Sequence, residues 1–470
     1  MKQILSDKKN FAFSGGIAHK NSVLNEFVRG YGGFFRVWRY NNTKIAIDYI
    51  KGLMCCERGK ANMERMEEEV EDSEYRAYQH FITNSNWDAD GLLKQLGKDA
   101  FDVLSQQKAQ NGLPIGLIVD ESAHLKKGEH SVGVSRQYAG VSGKVDNCQV
   151  GVYCSLVNDK NATIVNQRLF LPESWTSDPL RCDEAGIPEE HRKYKTKQEL
   201  ALEAIHELKS SGVIGDFIAG DGFYGHGTTF SRGLEKMGLF YVLDVHKDAQ
   251  VFLQEPQFSV PPKKSSRGRT PTILKPDIPS VRLDAYLQTL DQAAWQEEQV
   301  RKTTKGWLVL KVHKADVWIT DTKTNNVFRQ TLIITRTTDG TDEIKYSFSN
   351  GELDQYTHQE YAYFQCQRYW VERSFQDAKS ELGFSDYQVR KWRSWQHHHV
   401  LVFLACLYLM KTRIENQESY PLMSVRDAKI LIIVALFGTK EQLQTKMLQM
   451  EKRHVKRQID IDRRYKIKRE

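Results

Sequence analysis

Apolar side chains in the first quarter of this chain recur every three to four positions, and the alternation that marks strands is rare there. The spacing predicts helices near Ile45 to Cys56, Ala61 to Glu71, Ser73 to Thr83 and Asp88 to Leu104. Short breaks between helices of this size fit a helix-turn-helix unit as well as an ordinary helical bundle. Beyond Pro114 the period changes. Ile115 to Val119 is a short apolar run closed by Asp120, Gln149 to Val157 alternates and is β-branched, and Ala162 to Leu171 is a third strand candidate. Thr196 and Glu199 form a capping box that opens an amphipathic helix running to Leu208. A strand from Val213 to Ala219 leads to Asp221, a helix from Thr229 to Met237 stops at Gly238, and a strand from Leu239 to Val245 follows. Three strands followed by two helix–strand units describe a mixed sheet that starts as a meander and continues with β-α-β connections.

The stretch Gln257 to Ser280 is rich in Pro, Ser, Lys and Arg and reads as a flexible basic loop. Strands are expected again at Gly306 to Asp321, Val327 to Thr337 and Glu343 to Ser349, then a helix from Arg368 to Leu382. The longest apolar run, Val400 to Met410, falls far short of the ~20 residues of a membrane span and is read as a buried helix. The helix Ala428 to Phe437 and a basic helical end complete the chain. These changes of character divide it into a helical region 1–108, a first α/β part 109–248, a β-rich region 249–351, a second α/β part 352–412 and a helical basic region 413–470.

Charge sharpens the picture more by its placement than by its sum. Lys and Arg number 67 against 60 Asp and Glu, a formal +7, which fits a polyanion partner without demanding one. Acidic residues gather from Glu64 to Glu74, whereas Lys and Arg crowd Lys263 to Arg269 and Lys452 to Arg469. The seven cysteines are scattered without a CxxC pair, as free thiols of a reducing compartment are, and do not form a zinc-site pattern. With no signal-peptide core at the N-terminus, a soluble intracellular protein is expected. The run His397, His398, His399 lacks a cysteine partner and is read as helix, not as a zinc site.

The helix from Arg368 carries the most informative chemistry. At about 100° per residue, Glu372 falls roughly 40° and Lys379 roughly 20° from Arg368, so a carboxylate sits between two cations on one face. Val371, Phe375, Ala378 and Leu382 form an adjoining apolar stripe that would hold the helix on a core. Asp120 and Asp221, each placed at the end of an expected strand, are two further carboxylates that a sheet edge could bring together. Three carboxylates suit hard divalent cations such as Mg²⁺, and two ions ~3.5–4 Å apart could support in-line phosphoryl transfer. Glu121 competes with Asp120 for this role, but successive strand residues point to opposite faces and only one can join.

The stretches VDESAHLKKGEHSVGVSRQYAGVSGKVDNCQVGVY, IAGDGFYG and RYWVERSFQDAKSELGFSDYQVRKWRSWQHH resemble, in this order, the acidic blocks of the IS701 family of DDE transposases, within the IS4-like group of insertion-sequence transposases. YQHFITNSNWDAD is similar to that family's N-terminal region, and the likeness runs from about Lys44 to Met410. The resemblance implies an RNase H-like mixed β-sheet core with helices, interrupted by the β-rich insertion and flanked by an α-helical N-terminal DNA-binding domain and a helical C-terminal region. It implies Asp120, Asp221 and Glu372 as the catalytic, metal-binding triad for two Mg²⁺ ions, replaceable by Mn²⁺. The group's Tyr, Arg, Glu, Lys signature falls on Gln365, Arg368, Glu372 and Lys379, so the tyrosine is missing and Tyr363 or Phe364 is the candidate to replace it.

The activity so implied is cut-and-paste transposition: cleavage at terminal inverted repeats leaves a 3′-hydroxyl that attacks target DNA. Arg368 and Lys379, with Arg373 beside them, become candidate phosphate ligands. Lys126 and Lys127 are candidates for the DNA backbone, Arg76, Gln79 and His80 for base edges, and Trp307 and Trp318 for stacking on a flipped base. The expected partners are double-stranded DNA and a second copy of the chain, since two ends must be joined, with no membrane. The expected location is the cytoplasm of a prokaryotic cell, at the nucleoid. An RNase H-type nuclease that cleaves without joining, and a domesticated DNA-binding protein without catalysis, are the alternative readings.

Overall fold

One ten-stranded mixed sheet runs through the protein. The computed structural model describes residues 21–262, 271–321 and 324–467, so the basic stretch Lys263 to Arg269 lies outside the described residues. The inner strands are β1 (Gly116–Leu125), β2 (Ser135–Ala139), β3 (Lys144–Asn158), β4 (Asn161–Leu169), β5 (Phe217–Gly220) and β6 (Tyr241–Val245). β3 is antiparallel to β1, β2 and β4, whereas β5 runs parallel to β1 and β6 parallel to β5. β3 is buried along most of its length, as a strand covered on both faces must be, and reads as a near-continuous apolar run.

The region expected to be an insertion does not form a detached sheet. Its strands β7 (Gln296–Thr303), β8 (Gly306–Thr320), β9 (Val327–Thr337) and β10 (Ile344–Ser349) extend the same sheet, with β10 antiparallel to β6. It has its own small core around Val251, Leu283, Val317, Leu332 and Ile334. β7, with the sequence QEEQVRKT, escapes a hydrophobic reading because it is a polar edge strand with a single fully buried position. β2 is missed for a similar reason.

The N-terminal helices α1 (Asn21–Gly30), α2 (Thr43–Cys55), α3 (Met63–Glu69), α4 (Tyr75–Thr83) and α5 (Ala89–Asn111) match the expected positions except α1, which the helical spacing did not reveal. α6 (Lys197–Ser210) begins at the expected Thr196–Glu199 capping box, and α7 (Thr229–Lys236) leads into β6. Then come α8 (His358–Gln367), α9 (Tyr369–Glu381), α10 (Trp392–Glu415), α11 (Val425–Phe437) and α12 (Lys440–Ile467). The apolar run Val400 to Met410 lies inside α10, which packs on α2, α4, α5 and β4. One continuous core therefore reaches from Leu24 to Met450, and the N-terminal helices share it with the sheet. Among the described residues, no helix is long and apolar enough to cross a membrane.

The histidine run is part of that core. His397 Nδ1 lies 3.0 Å from the Ile82 carbonyl, His398 Nδ1 2.9 Å from the Tyr49 hydroxyl and His399 Nδ1 2.7 Å from the Trp395 carbonyl. Burial pushes the pKa of His397 and of His398 down to about 3. The unfolded chain titrates near the ordinary ~6.5, so this burial stabilises the fold above that pH and the contribution is lost as pH falls toward about 3. His398→Gln is accordingly expected to flatten the decline of Tm between about pH 6.5 and 4. A thermal melt series with the wild-type slope would count against this account.

Candidate active site

Register across three parallel strands builds the site. Val119 pairs with Gly220, and Gly220 with Leu243, so the residues that follow them, Asp120, Asp221 and Asp244, stand level on neighbouring strands about 4.8 Å apart. Asp120 does not end its strand, as the apolar run suggested. β1 continues to Leu125 because the polar segment after Val119 keeps pairing with β3 up to the Leu125–Cys148 partners. Asp221 follows β5 directly and caps the single helical turn Gly222–Gly225, its Oδ1 accepting from the Phe223 amide at 3.0 Å. A side chain at Gly225 would collide with the Asp244 carbonyl oxygen, so the glycine of GFYG lets this turn lie against β6.

The row is electrostatically tense. Burial, and then the negative charge of Asp221, pushes the Asp120 carboxyl up to about 8, while the Glu121 amide donates to its Oδ1 at 2.7 Å. Burial also raises Asp244, against which Arg368 Nε donates at 2.9 Å and Ser347 Oγ at 2.7 Å. Arg368 Nη1 donates in turn to Glu372 Oε1 at 2.7 Å. Burial works against the Arg368 charge, but Asp244, Glu372, Asp120 and Asp221 outweigh it and hold the guanidinium charged more firmly than usual. One arginine thus faces all four carboxylates.

Arg368 occupies a joint. The expected single helix from Arg368 is preceded by α8, and Arg368 links α8 to α9 with helical angles of φ −55° and ψ −32°. α9 seats Val371, Phe375 and Ala378 in the core, leaving Glu372 exposed on the side of the arginine. Lys379, further along, lies against β1 with its ammonium 3.4 Å from the Ala123 carbonyl; burial lowers its pKa and the Asp120 charge opposes that. Gln365, at the position of the expected tyrosine, is buried. Its Nε2 donates to Ser347 Oγ at 2.7 Å and its Oε1 accepts from Thr335 Oγ1 at 2.5 Å, so a hydrogen-bonded chain runs Gln365–Ser347–Asp244–Arg368–Glu372.

Glu121 turns away from the row toward Lys197, 3.5 Å distant. Asp244 was overlooked in the sequence, although the rule that singled out Asp221, a carboxylate at the end of an apolar strand, applies to it equally. Ser347 and the role of Gln365 left no such trace, since both depend on which strand lies beside β6.

The outlying candidates fare differently. Arg76, Gln79 and His80 are exposed on α4. Lys126 turns inward, donating to the Tyr387 carbonyl at 2.8 Å with its ammonium 3.5 Å from the Tyr387 ring centre, whereas Lys127 is exposed. Arg373 is engaged within α9, 3.1 Å from Asp377. Trp307 and Trp318 are half-buried on β8, which lies three strands from β6, roughly 14 Å at about 4.8 Å per strand. Trp307 meets Tyr465 of α12 edge-on at 6.3 Å.

Among the described residues, no three His, Cys, Asp or Glu side chains already converge as a metal-binding group. The donor set nonetheless suits a divalent cation: two hard carboxylates side by side, one of them raised by burial and then by the charge of the other, are what a bound cation would relieve.

A mixed sheet bearing a row of aspartates, with an Arg–Glu helix beside it, makes this an α/β protein with an acidic centre. The family described as DDE superfamily endonuclease matches residues 38–307, more than half of the chain, and the chain belongs to that family. It is 25% identical over 316 residues to the "Probable transposase for insertion sequence element IS701" of Microchaete diplosiphon, covering 66% of this chain and 67% of that protein. The expected IS701-like identity is borne out by both. A cryo-EM structure of the piggyBac transposase synaptic complex with hairpin DNA is similar with a TM-score of 0.41 at 12% identity, over 92% of this chain and 82% of that one.

Proposed function

We propose that this protein is the transposase of an IS701-like insertion sequence, cutting DNA at the element's terminal inverted repeats and joining the freed 3′-hydroxyls to target DNA. The observation that carries the reading is the level row Asp120–Asp221–Asp244, linked through Arg368 to Glu372. The strand order β4-β3-β1-β5-β6, antiparallel then parallel, supports an RNase H-like core, with the insertion continuing its sheet beyond β6. Asp120 and Asp221 would hold the metal, and Glu372 would complete the set. Two Mg²⁺ ions, or Mn²⁺ in their place, supply Lewis acidity for in-line displacement at phosphorus when bound there.

The chain's own residues do the rest. Arg368 holds the Glu372 carboxylate in place and offers its fork to a phosphate; Lys379 adds a point charge beside Asp120. Asp244 and Ser347 orient the arginine. Arg76, Gln79 and His80 on α4, Lys127, and the basic C-terminal helix are the remaining candidates for DNA contact. A homodimer on paired ends follows from the need to join two ends, and DNA as substrate places the work at the nucleoid.

Incubation of the purified protein with Mg²⁺, a supercoiled target plasmid and a duplex carrying one end of the surrounding element tests the reading. Cleaved ends joined to the plasmid are expected, and Glu372→Gln is expected to abolish both steps. Cleavage without joining would instead mark an RNase H-type nuclease, and binding without cleavage a DNA-binding protein that has lost catalysis.

A further inference from the structure

Trp38 is 99% exposed and Tyr40 76%. They belong to a hairpin in which Arg36–Val37 pairs with Tyr40–Asn41, with Val37 opposite Tyr40, so that Trp38 and Arg39 form a two-residue loop. Trp38 has φ +55°. Glycine is the usual residue at such a loop position, and a bulky side chain there is strained. Neither burial nor backbone preference therefore accounts for this tryptophan, and strain of this kind concentrates at functional sites.

The hairpin is held firmly at its base. Phe35 is fully buried and meets Phe81 and Trp87 edge-on, with ring centres 6.0 and 5.4 Å away. Asn42 Nδ2 donates to the Phe35 carbonyl at 3.1 Å. Phe81 belongs to α4, so the hairpin stands on the helix whose exposed face carries Arg76, Gln79 and His80. Behind it opens a concavity of about 630 Å³ that Arg29, Arg36, Lys44 and Lys51 help to line. Its acidic residue, Asp48, is already paired with Lys44 at 2.7 Å. Arg36 and Arg39 are exposed and have no ion-pair partner among the described residues.

We infer that this hairpin is a duplex-DNA contact, separate from the acidic centre. The Trp38 ring enters a groove and stacks at a base step, while Arg36 and Arg39 sit on the flanking phosphates. A projecting aromatic between unpaired cations matches the two demands of nucleic acid, a π-face for bases and positive charge for the backbone. Arg29, Arg36 and Lys51 around the concavity favour an anionic partner, and the exposed aromatic ring favours one that also offers bases to stack on. The inference rests on the DNA-acting function proposed above.

Trp38→Gly tests it without threatening the fold, since glycine suits the loop, and Tm is expected to hold or rise. Affinity for a fluorescein-labelled mixed-sequence duplex of about 30 base pairs, and for one carrying an element end, is expected to fall about 10-fold. Arg36→Ala combined with Arg39→Ala is expected to weaken binding to both duplexes and to reduce the slope of log affinity against log salt by about 1.8. Wild-type affinity and salt slope in both variants, with the wild-type protein binding DNA, would overturn the hairpin and leave the function standing. A wild-type protein that binds neither duplex would overturn both.

Discussion

Asp221→Asn is expected to lower Mg²⁺-dependent cleavage of an end-containing duplex by on the order of 10³-fold, the scale seen when one preorganised electrostatic partner of a transition state is removed. The substitution keeps the shape of the side chain and its capping oxygen, so Oδ1 still accepts from the Phe223 amide and the turn after β5 persists. What it removes is one of the two adjacent negative charges. The same deletion should be visible without catalysis. In the metal-free wild type, Asp221 helps to push the Asp120 carboxyl up to about 8, and a cation shared by the pair removes that repulsion. Added Mg²⁺ is therefore expected to raise Tm of the wild type at neutral pH and to leave Asp221→Asn nearly unmoved. Full cleavage activity in the variant, or an equal Mg²⁺ shift in both proteins, would exclude Asp221 as a metal ligand.

The second large effect concerns stability. Asp244→Ala is expected to destabilise the protein by ~2–3 kcal/mol, because Arg368 Nε loses its buried, charged acceptor while Glu372 still pairs with Nη1. Arg368 and Asp244 are respectively 22% and 15% exposed, and Ser347 Oγ would lose its acceptor as well. Denaturant unfolding measures the loss. Arg336→Ala, whose partner Asp342 lies at the surface, is the control and should unfold like the wild type. Asp244→Asn keeps a hydrogen-bond acceptor for Arg368 and should recover part of the stability. If Asp244 positions Arg368, Asp244→Asn should also retain DNA binding while cleavage falls. A stability change without any change in cleavage would make the pair purely structural.

Much of the site could be read in one dimension. Asp221 lies in IAGDGFYG and Glu372 in RYWVERSFQDAKSEL, and both stretches have local signatures: an apolar strand ending in a carboxylate, and a helix with one charged and one apolar face. The capping box at Thr196 and most helices were legible for the same reason, since their hydrogen bonds and periodicities span only a few residues. β2 and β7 were not. Their polar residues are tolerated because each is stabilised by a neighbour far along the chain or at an edge, not by its own hydrophobic pattern.

By itself, then, the sequence determined the family, the order of helices and strands through most of the chain, and the carboxylates Asp120, Asp221 and Glu372 as candidates. The elements and the carboxylates are written in short-range spacing, and the family in the likeness of three longer stretches. Only the tertiary structure decided that Asp244 stands level with Asp120 and Asp221, that Arg368 joins Asp244 to Glu372, that Gln365 is buried and hydrogen-bonded to Ser347 and Thr335, and that Lys126 turns inward. These facts depend on strand register and on contacts between residues up to 261 positions apart, as for Lys126 and Tyr387. Register is set by how whole strands pack, because a shift of one residue would turn every side chain to the opposite face. No local pattern encodes that choice.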